Sequence, residues 1–164
     1  MGFRVLARRA AILLAVFMSG TMGWAQTPDD EVVLTVSGAG DAVALSINDL
    51  RAIAEATIET STIWTDGVQV FTGIPLDAFV RHFQVTDGDL VATALNDYEI
   101  RMPVADALQE GPIIAYLRNG ETMSVRDKGP LWLVYPYDAR PEYQTEIFHS
   151  RSIWQLDKIR FETE

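Results

Sequence analysis

Cysteine is absent from this 164-residue chain. Its absence excludes disulfide bonds, thiolate catalysis and thiolate ligation of a metal, so the fold must be stabilised by its core. Histidine is scarce: His82 and His149 lie far apart in the sequence, which argues against a conventional zinc site. Asp87 and Asp89 lack the further oxygen ligands of a calcium loop, and no serine lies in a nucleophile elbow. The usual signatures of hydrolases and metalloenzymes are therefore missing.

A long apolar run occurs only at the N-terminus. Three arginines precede an apolar stretch over residues 10–18, and Gly23-Trp24-Ala25 places small residues where a signal peptidase cleaves. We predict a signal peptide over residues 1–25, with cleavage before Gln26. The alternative is a retained membrane anchor, but this run is shorter than the ~20 apolar residues that a span requires. The protein is therefore expected to be exported, to the periplasm of a Gram-negative cell or to the medium.

The pair Arg8-Arg9 raises the question of the export route, because twin arginines mark signals for folded cargo. Ala10-Ala11 is a poor continuation of that motif. We therefore favour ordinary export of the unfolded chain.

Negative charge dominates the exported part of the chain. Beyond residue 25, 10 basic and 23 acidic residues remain, which gives a formal charge of −13. Nucleic acid and anionic membrane surfaces are unsuitable partners for such a surface. The simplest function of this charge is to keep the exported protein soluble.

Short strands separated by a few short helices dominate the pattern of the remaining 139 residues. This pattern predicts one α+β domain with a mixed β-sheet over residues 32–161, preceded by a flexible leader at residues 26–31. The predicted strands are Val32–Val36, Val43–Ser46, Ala56–Trp64, Val68–Phe71, Leu90–Leu95, Tyr98–Met102, Ile113–Leu117, Thr122–Val125, Leu131–Tyr135 and Ile153–Phe161, and the predicted helices are Asp49–Ala54, Leu76–Phe83 and Val104–Gln109.

Local signals set several of these boundaries. Asn48 is the predicted N-cap of the first helix, and Pro75 suits the first position of the second. Asn119-Gly120 is the strongest hairpin signal in the chain. Leu131–Tyr135 is a continuous apolar run, typical of a strand buried on both faces, although a buried helical segment has the same pattern. Pro136 lacks an amide donor and should end that strand, with an irregular segment following to residue 150.

Polar and aromatic side chains at predicted loop positions are the candidates for a binding site. Tyrosine and tryptophan combine a flat apolar face with a hydrogen-bonding group, and arginine binds carboxylate or phosphate through its planar fork. Together they predict a pocket for an anion or a heterocycle; the alternative is that Asp97 and Tyr98 shape a hairpin while Trp64 and Tyr137 fill the core. The candidate ligand-binding residues are Trp64, Asp97, Tyr98, Arg126, Lys128, Tyr137, Arg140 and Arg151.

A series of short motifs follows one another in a characteristic order. They are Phe71-Thr72-Gly73-Ile74-Pro75-Leu76, Asn96-Asp97-Tyr98, Met102-Pro103, Asn119-Gly120-Glu121, Gly129-Pro130-Leu131 leading into Val134-Tyr135-Pro136, and a terminal Ile153-Trp154 with Ile159. In order and spacing they resemble the oxidoreductase molybdopterin-binding domain of the sulfite oxidase family, over residues 32–161. The resemblance implies a sulfite-oxidase-type molybdopterin-binding fold, with molybdopterin as the family's cofactor.

The chain departs from that family where the metal would be held. Family enzymes bind molybdenum through one cysteine thiolate upstream of the F-x-G motif, a region that is Thr60–Trp64 here. Hydroxyl groups are poor substitutes, because at neutral pH they are protonated and hard. The family's domain is also longer, and its pterin-contacting loops have no counterpart here. Arg126 and Lys128, beside the G-P-L motif, are the nearest candidates for a contact with the cofactor's phosphate.

We therefore expect an exported module that keeps the scaffold without redox catalysis; no cofactor is assigned to it, and molybdopterin stays open as the one it could hold. It would bind a small anionic or heterocyclic ligand, or an exported partner protein, near Trp64, Tyr98 and Tyr137. The alternative is a molybdopterin-dependent oxidoreductase, or a subunit of one, that completes its site with a partner; the Arg8-Arg9 pair gives this alternative slight support. A third hypothesis is a structural interaction domain that binds no small ligand.

Overall fold

A computed structural model describes residues 28–107 and 111–163. The predicted signal peptide, residues 1–25, lies outside these ranges, as does the predicted end of the third helix at Gln109. Within the described ranges, no helix has the length and apolar character needed to cross a bilayer.

Two β-sheets form the domain. The first has the order β2-β1-β11-β5-β6 and is mixed, since β1 and β11 run parallel while the other neighbours are antiparallel. Its strands are β1 (Val32–Ser37), β2 (Val43–Ser46), β5 (Asp89–Ala94), β6 (Glu99–Pro103) and β11 (Leu156–Glu162). The second sheet has the order β10-β9-β7-β4-β3, with β8 also paired to β7, and is antiparallel. Its strands are β3 (Ala56–Ser61), β4 (Val68–Pro75), β7 (Ile113–Arg118), β8 (Glu121–Thr122), β9 (Trp132–Val134) and β10 (Ile153–Trp154).

Four short helices connect the strands: α1 (Ile47–Ile53), α2 (Leu76–His82), α3 (Val104–Ala107) and α4 (Glu146–Arg151). The main core draws from both sheets and from the helices, with Leu34, Phe79, Leu90, Ile114 and Leu133 all essentially inaccessible to solvent. A second, largely aromatic cluster gathers around Trp132. The predicted α+β class, one domain with short helices, is confirmed.

The predicted buried strand is also confirmed. β9 lies between β10 and β7, and every residue from Leu131 to Tyr137 is buried. Pairing ends before Pro136, as its missing amide donor requires. The segment therefore delivers Tyr137 and Asp138 to the end of an interior strand.

Several predicted boundaries are wrong. The N-cap of α1 is Ser46, not Asn48, because Ser46 and Asp49 form a reciprocal capping box. Asn48 instead donates to the Asp30 carboxylate (2.8 Å). Thr122–Val125 is not a strand: β8 ends at Thr122, and residues 125–127 form a 3-10 turn. The segment 136–150 is less irregular than predicted, since it contains a 3-10 turn at residues 141–143 and most of α4.

Within the predicted leader, Pro28–Asp30 form a 3-10 turn, which an ion pair between Arg51 and Asp29 (2.9 Å) links to α1. One strand end also differs from the prediction. β3 ends at Ser61 rather than Trp64, because the Asp138 carboxylate accepts the Ser61 backbone N–H.

The predicted terminal strand, Ile153–Phe161, is two strands that belong to different sheets. Gln155 separates them with a left-handed backbone conformation (φ 54°). Its N–H donates to the Lys128 carbonyl, and the N–H of Leu156 donates to the Leu131 carbonyl, each at 3.0 Å. The chain thus leaves the second sheet after Trp154 and enters the first at Leu156. This switch leaves Trp154 close to the β5–β6 hairpin.

Candidate functional site

An aromatic cleft lies where the β5–β6 hairpin approaches the end of α4 and β10. Its volume is about 400 Å³. Both sheets supply its walls, because Ala94 and Tyr98 come from the first sheet's hairpin and Trp154 comes from the second. The lining residues are Trp64, Ala94, Asn96, Tyr98, His149, Ser150, Ser152, Ile153 and Trp154.

Trp64 forms one wall of the aromatic cleft. It lies in the β3–β4 loop, where its backbone N–H donates to the Thr62 hydroxyl (3.1 Å). Its ring centroid lies 5.4 Å from that of Trp154 and 5.9 Å from that of His149, both in edge-on contacts. Such edge-to-face pairs are favourable for aromatic rings and fix their orientation. Trp64 is therefore a positioned wall rather than a free loop side chain.

Tyr98 also lines the aromatic cleft. The turn before it places Asp97 at φ 63°, and the Asn96 side-chain oxygen accepts the Tyr98 N–H (3.2 Å). The Tyr98 hydroxyl reaches the Ser150 carbonyl (3.4 Å), across 52 residues of sequence. Half of the side chain remains exposed (50%). Part of the Tyr98 side chain is thus accessible to solvent.

A buried hydroxyl pair underlies the cleft. Ser152 and Tyr137 share a short hydrogen bond, and the Ser152 hydroxyl also lies 3.3 Å from the Phe148 carbonyl. Burial raises the pKa of Tyr137 to about 12. Tyr137 is therefore neutral at physiological pH and supplies a hydrogen-bonding group, not a charge.

Trp132 lies behind the aromatic cleft and is fully buried. Its ring stands edge-on to Phe71 (5.3 Å), Trp64 (6.1 Å) and Trp154 (6.2 Å). Within the described residues its indole N–H has no hydrogen-bond partner. The three tryptophans beyond residue 25 thus form one contact cluster. Their fluorescence and near-ultraviolet circular dichroism should therefore change when the aromatic cleft changes.

A second, polar pocket of about 410 Å³ adjoins the aromatic cleft through His149, which lines both. Its other lining residues are Ser61, Thr62, Ile63, Tyr137, Asp138 and Gln144. The Asp138 carboxylate accepts the Ser61 N–H (2.5 Å) and the Ser61 hydroxyl (2.6 Å), while the Asp138 N–H donates to the Thr60 hydroxyl (3.1 Å). We call these three bonds the Asp138 clamp. The Ser61 side-chain bond is the main reason that the pKa of Asp138 is lowered, so this group is ionised at neutral pH.

The sequence-predicted residues divide into two groups in the structure. Trp64 and Tyr98 line the aromatic cleft, and Tyr137 borders the adjoining pocket. Tyr137 is also buried in the aromatic core cluster against which Trp64 packs, so the alternative considered for both, that they fill the core, holds as well. Asp97 is an exposed turn residue that shapes the hairpin, which is the alternative considered for it.

The predicted cations lie elsewhere. Arg126 is exposed on the 3-10 turn, and the Lys128 carbonyl accepts the Gln155 N–H. Arg140 stands over the Tyr143 ring (5.8 Å) in a different groove, and Arg151 pairs with Asp106 (2.8 Å). Throughout the described ranges, no arginine or lysine lines the aromatic cleft or the polar pocket. The structure therefore does not bring the predicted anion-binding side chains to the aromatic ones.

Sequence reasoning did not select His149, Trp154, Ser61 or Asp138 as site residues. Trp154 is an aromatic residue in the terminal motif and could have been noted for that reason. Its position beside the aromatic cleft, however, depends on the switch between sheets at Gln155. The Ser61–Asp138 contact spans 77 residues and has no local signature. Neither contact could be read from spacing.

Comparison with known proteins bears on the fold. No family model and no curated protein matches the chain. Among solved structures it is similar to the sulfane dehydrogenase SoxCD from Paracoccus pantotrophus, with a TM-score of 0.60 and 13% sequence identity, over 85% of this chain and 40% of that one. The chain thus spans less than half of its structural relative. This likeness shows a distant fold relationship, and it confirms the predicted α+β fold of the sulfite-oxidase type.

Proposed function

We propose that this protein is an exported binding module that uses a sulfite-oxidase-type scaffold without redox chemistry and holds a small organic molecule in the aromatic cleft. The observation that carries the proposal is the chemistry at Ser61. The resemblance implies that the family's metal-binding thiolate would fall in the stretch Thr60–Trp64. Here the Ser61 hydroxyl and the Ser61 N–H both donate to the Asp138 carboxylate.

The donor atoms present do not fit a molybdenum–pterin cofactor. The chain has no thiolate, and the described residues contain no group of three or more histidine, aspartate or glutamate side chains that could hold a metal. The fixed charge at the polar pocket is the Asp138 carboxylate, which would repel a phosphate group. Arg126 and Lys128, the candidates for a phosphate contact, do not line either cavity. These features support a function that does not depend on the metal.

The aromatic cleft offers what a small organic ligand needs. Trp64, Trp154 and Tyr98 contribute aromatic side chains to its lining, while Asn96 and Ser150 contribute hydrogen-bonding groups. Ligand sites are typically concave, mostly apolar and furnished with a few polar groups. The predicted signal peptide supports export, and an N-terminus at Gln26 in the mature protein would test that step.

Elemental analysis tests the loss of redox chemistry. The protein is purified from its native host and measured for molybdenum, with a molybdenum enzyme from the same host as the positive control. We expect no stoichiometric metal. One molybdenum atom per chain would overturn the proposal and favour the oxidoreductase alternative.

Native mass spectrometry of the same material tests the binding function. We expect a bound organic molecule whose retention is lost in Trp64→Ala and kept in Phe83→Leu. Phe83 is a suitable control because it packs on the main core, against Phe79 and Phe161. A protein that carries no ligand and gains no thermal stability from any small molecule would support a purely structural domain instead.

A further inference from the structure

The geometry points to a small organic cation with a methylated, quaternary nitrogen as the ligand of the aromatic cleft. This inference rests on the proposed function. The first observation is the aromatic lining. Trp64, Trp154, Tyr98 and His149 all line one cavity of about 400 Å³. Aromatic rings attract a cation through the negative potential of their faces, tryptophan most strongly.

The second observation is the orientation of the walls. The Trp64 and Trp154 rings meet at 66°, and Trp64 meets His149 at 79°. Rings at such angles form a corner rather than a parallel slot. A corner suits a compact, roughly spherical group, such as a trimethylammonium head, better than a flat heterocycle that would require two parallel faces.

The third observation is charge. No arginine or lysine among the described residues lines the aromatic cleft or the polar pocket, so no basic side chain contacts the space that an organic cation would occupy. The Asp138 carboxylate lies in the adjoining pocket, which shares His149 with the cleft, and its lowered pKa keeps it negative at neutral pH. The exported chain carries a formal charge of −13. This field favours a cation and opposes an anion.

The fourth observation is the neutrality of the hydrogen-bonding groups. Asn96, Ser150 and Ser152 line the cleft, and none of them can form a salt bridge. A quaternary ammonium ion offers no N–H and needs no carboxylate partner, whereas a primary ammonium ion binds most strongly to a carboxylate, which the cleft's own lining does not supply. The lining therefore favours a methylated cation over a primary amine.

The test compares choline with its neutral isostere, dimethylbutanol, in which carbon replaces the quaternary nitrogen. The exported protein is titrated at pH 7 and constant ionic strength, with tryptophan fluorescence and calorimetry as readouts. We expect saturable binding of choline and binding of the isostere weaker by about tenfold. Equal affinities would mean that the cleft recognises shape alone, and absence of choline binding would also overturn the inference.

Variants of the walls separate a cation–π contact from simple apolar burial. Trp154→Phe keeps a ring and should weaken choline binding only partly, whereas Trp154→Leu keeps apolar volume and should abolish it. Tyr98→Leu repeats the test at a half-exposed position where folding is not at risk. Phe83→Leu removes a ring outside the cleft and should leave affinity unchanged. If Trp154→Leu and Tyr98→Leu bind choline as well as the parent does, the inference is wrong.

Failure of this inference is distinguishable from failure of the proposed function. If indole, a flat neutral heterocycle, saturates the cleft while choline does not bind, the ligand class is wrong and the binding function remains. If neither probe binds and the native protein carries no ligand, both are wrong.

Discussion

Replacing Asp138 by asparagine should weaken the attachment of the β3–β4 loop to the segment after β9. The carboxylate accepts two bonds from Ser61, and an amide offers one acceptor atom and one donor in its place. One of the two bonds is therefore lost or mismatched, while the bond from the Asp138 N–H to the Thr60 hydroxyl is kept. The loop that carries Trp64 then has fewer ties to the segment after β9.

The expected cost follows from the exposure of the group. A hydrogen bond to a buried charged group contributes about 1.5–3 kcal/mol. The Asp138 side chain is exposed, so solvent screening reduces this contribution, and we expect a loss of about 1 kcal/mol at pH 7. Asp138→Ala loses both side-chain bonds and should cost about twice as much.

The pH dependence of this loss gives a sharper test. Folding lowers the pKa of Asp138 below its ordinary value of 3.8, so its contribution to the free energy of unfolding is present above that value. The contribution is lost as the pH falls through the lower pKa of the folded state. The parent protein and Asp138→Asn should therefore differ at pH 7 and converge in strongly acidic solution.

Urea unfolding at a series of pH values measures this difference. Asp66→Asn is the matched control, because it removes one carboxylate from the same loop without touching the Asp138 clamp. Near-ultraviolet circular dichroism follows the Trp64 environment in the same samples. A difference that stays constant down to pH 3, or an equal loss in Asp66→Asn, would refute the assignment of stability to the clamp.

Three further predictions concern the interior. The contacting tryptophans should give a coupled near-ultraviolet circular dichroism signal, which Trp64→Phe and Trp154→Phe should each reduce while far-ultraviolet spectra stay the same. Gly73→Ala should cost about 3 kcal/mol in urea unfolding, because a Cβ there would meet the β7 backbone at Ile114. Burial raises the pKa of Tyr116 and Tyr137 to about 12. The free energy of unfolding should therefore fall as the pH rises from the ordinary tyrosine pKa of 10 through 12. In a pH titration, phenolate absorbance and loss of structure should appear together.

Local chemistry predicted much of the fold. Asn119-Gly120 forms the expected turn, with φ of 54° and 82°, because both residues tolerate the positive angles that a tight hairpin needs. The apolar run around β9 is buried as its composition indicated. Such features depend on a few adjacent residues, so the sequence suffices to predict them.

Long-range contacts account for what the sequence did not reveal. The switch at Gln155 depends on carbonyl groups of Lys128 and Leu131, about which the terminal strand's own pattern says nothing. Arg151 was predicted in the site, but it pairs with Asp106, 45 residues away. A long cationic side chain can adopt many orientations. The carboxylate with which it pairs determines its orientation, and sequence neighbours do not identify that carboxylate.

Because of the Asp138 clamp, we expect that adding a sulfur atom at position 61 would not by itself create a metal-binding site on this scaffold. A cysteine at position 61 would face a carboxylate that is ionised at neutral pH and that already accepts the backbone N–H of the same residue. A nearby negative charge disfavours a thiolate and raises the pKa of the thiol, whereas a metal ligand must be deprotonated. An engineered metal site at position 61 would therefore require removal of the Asp138 charge as well as the added thiol. A metal–pterin group would also need basic side chains for its phosphate, which no described residue lining the polar pocket provides. The same lack of basic lining residues is what the proposed cation site requires.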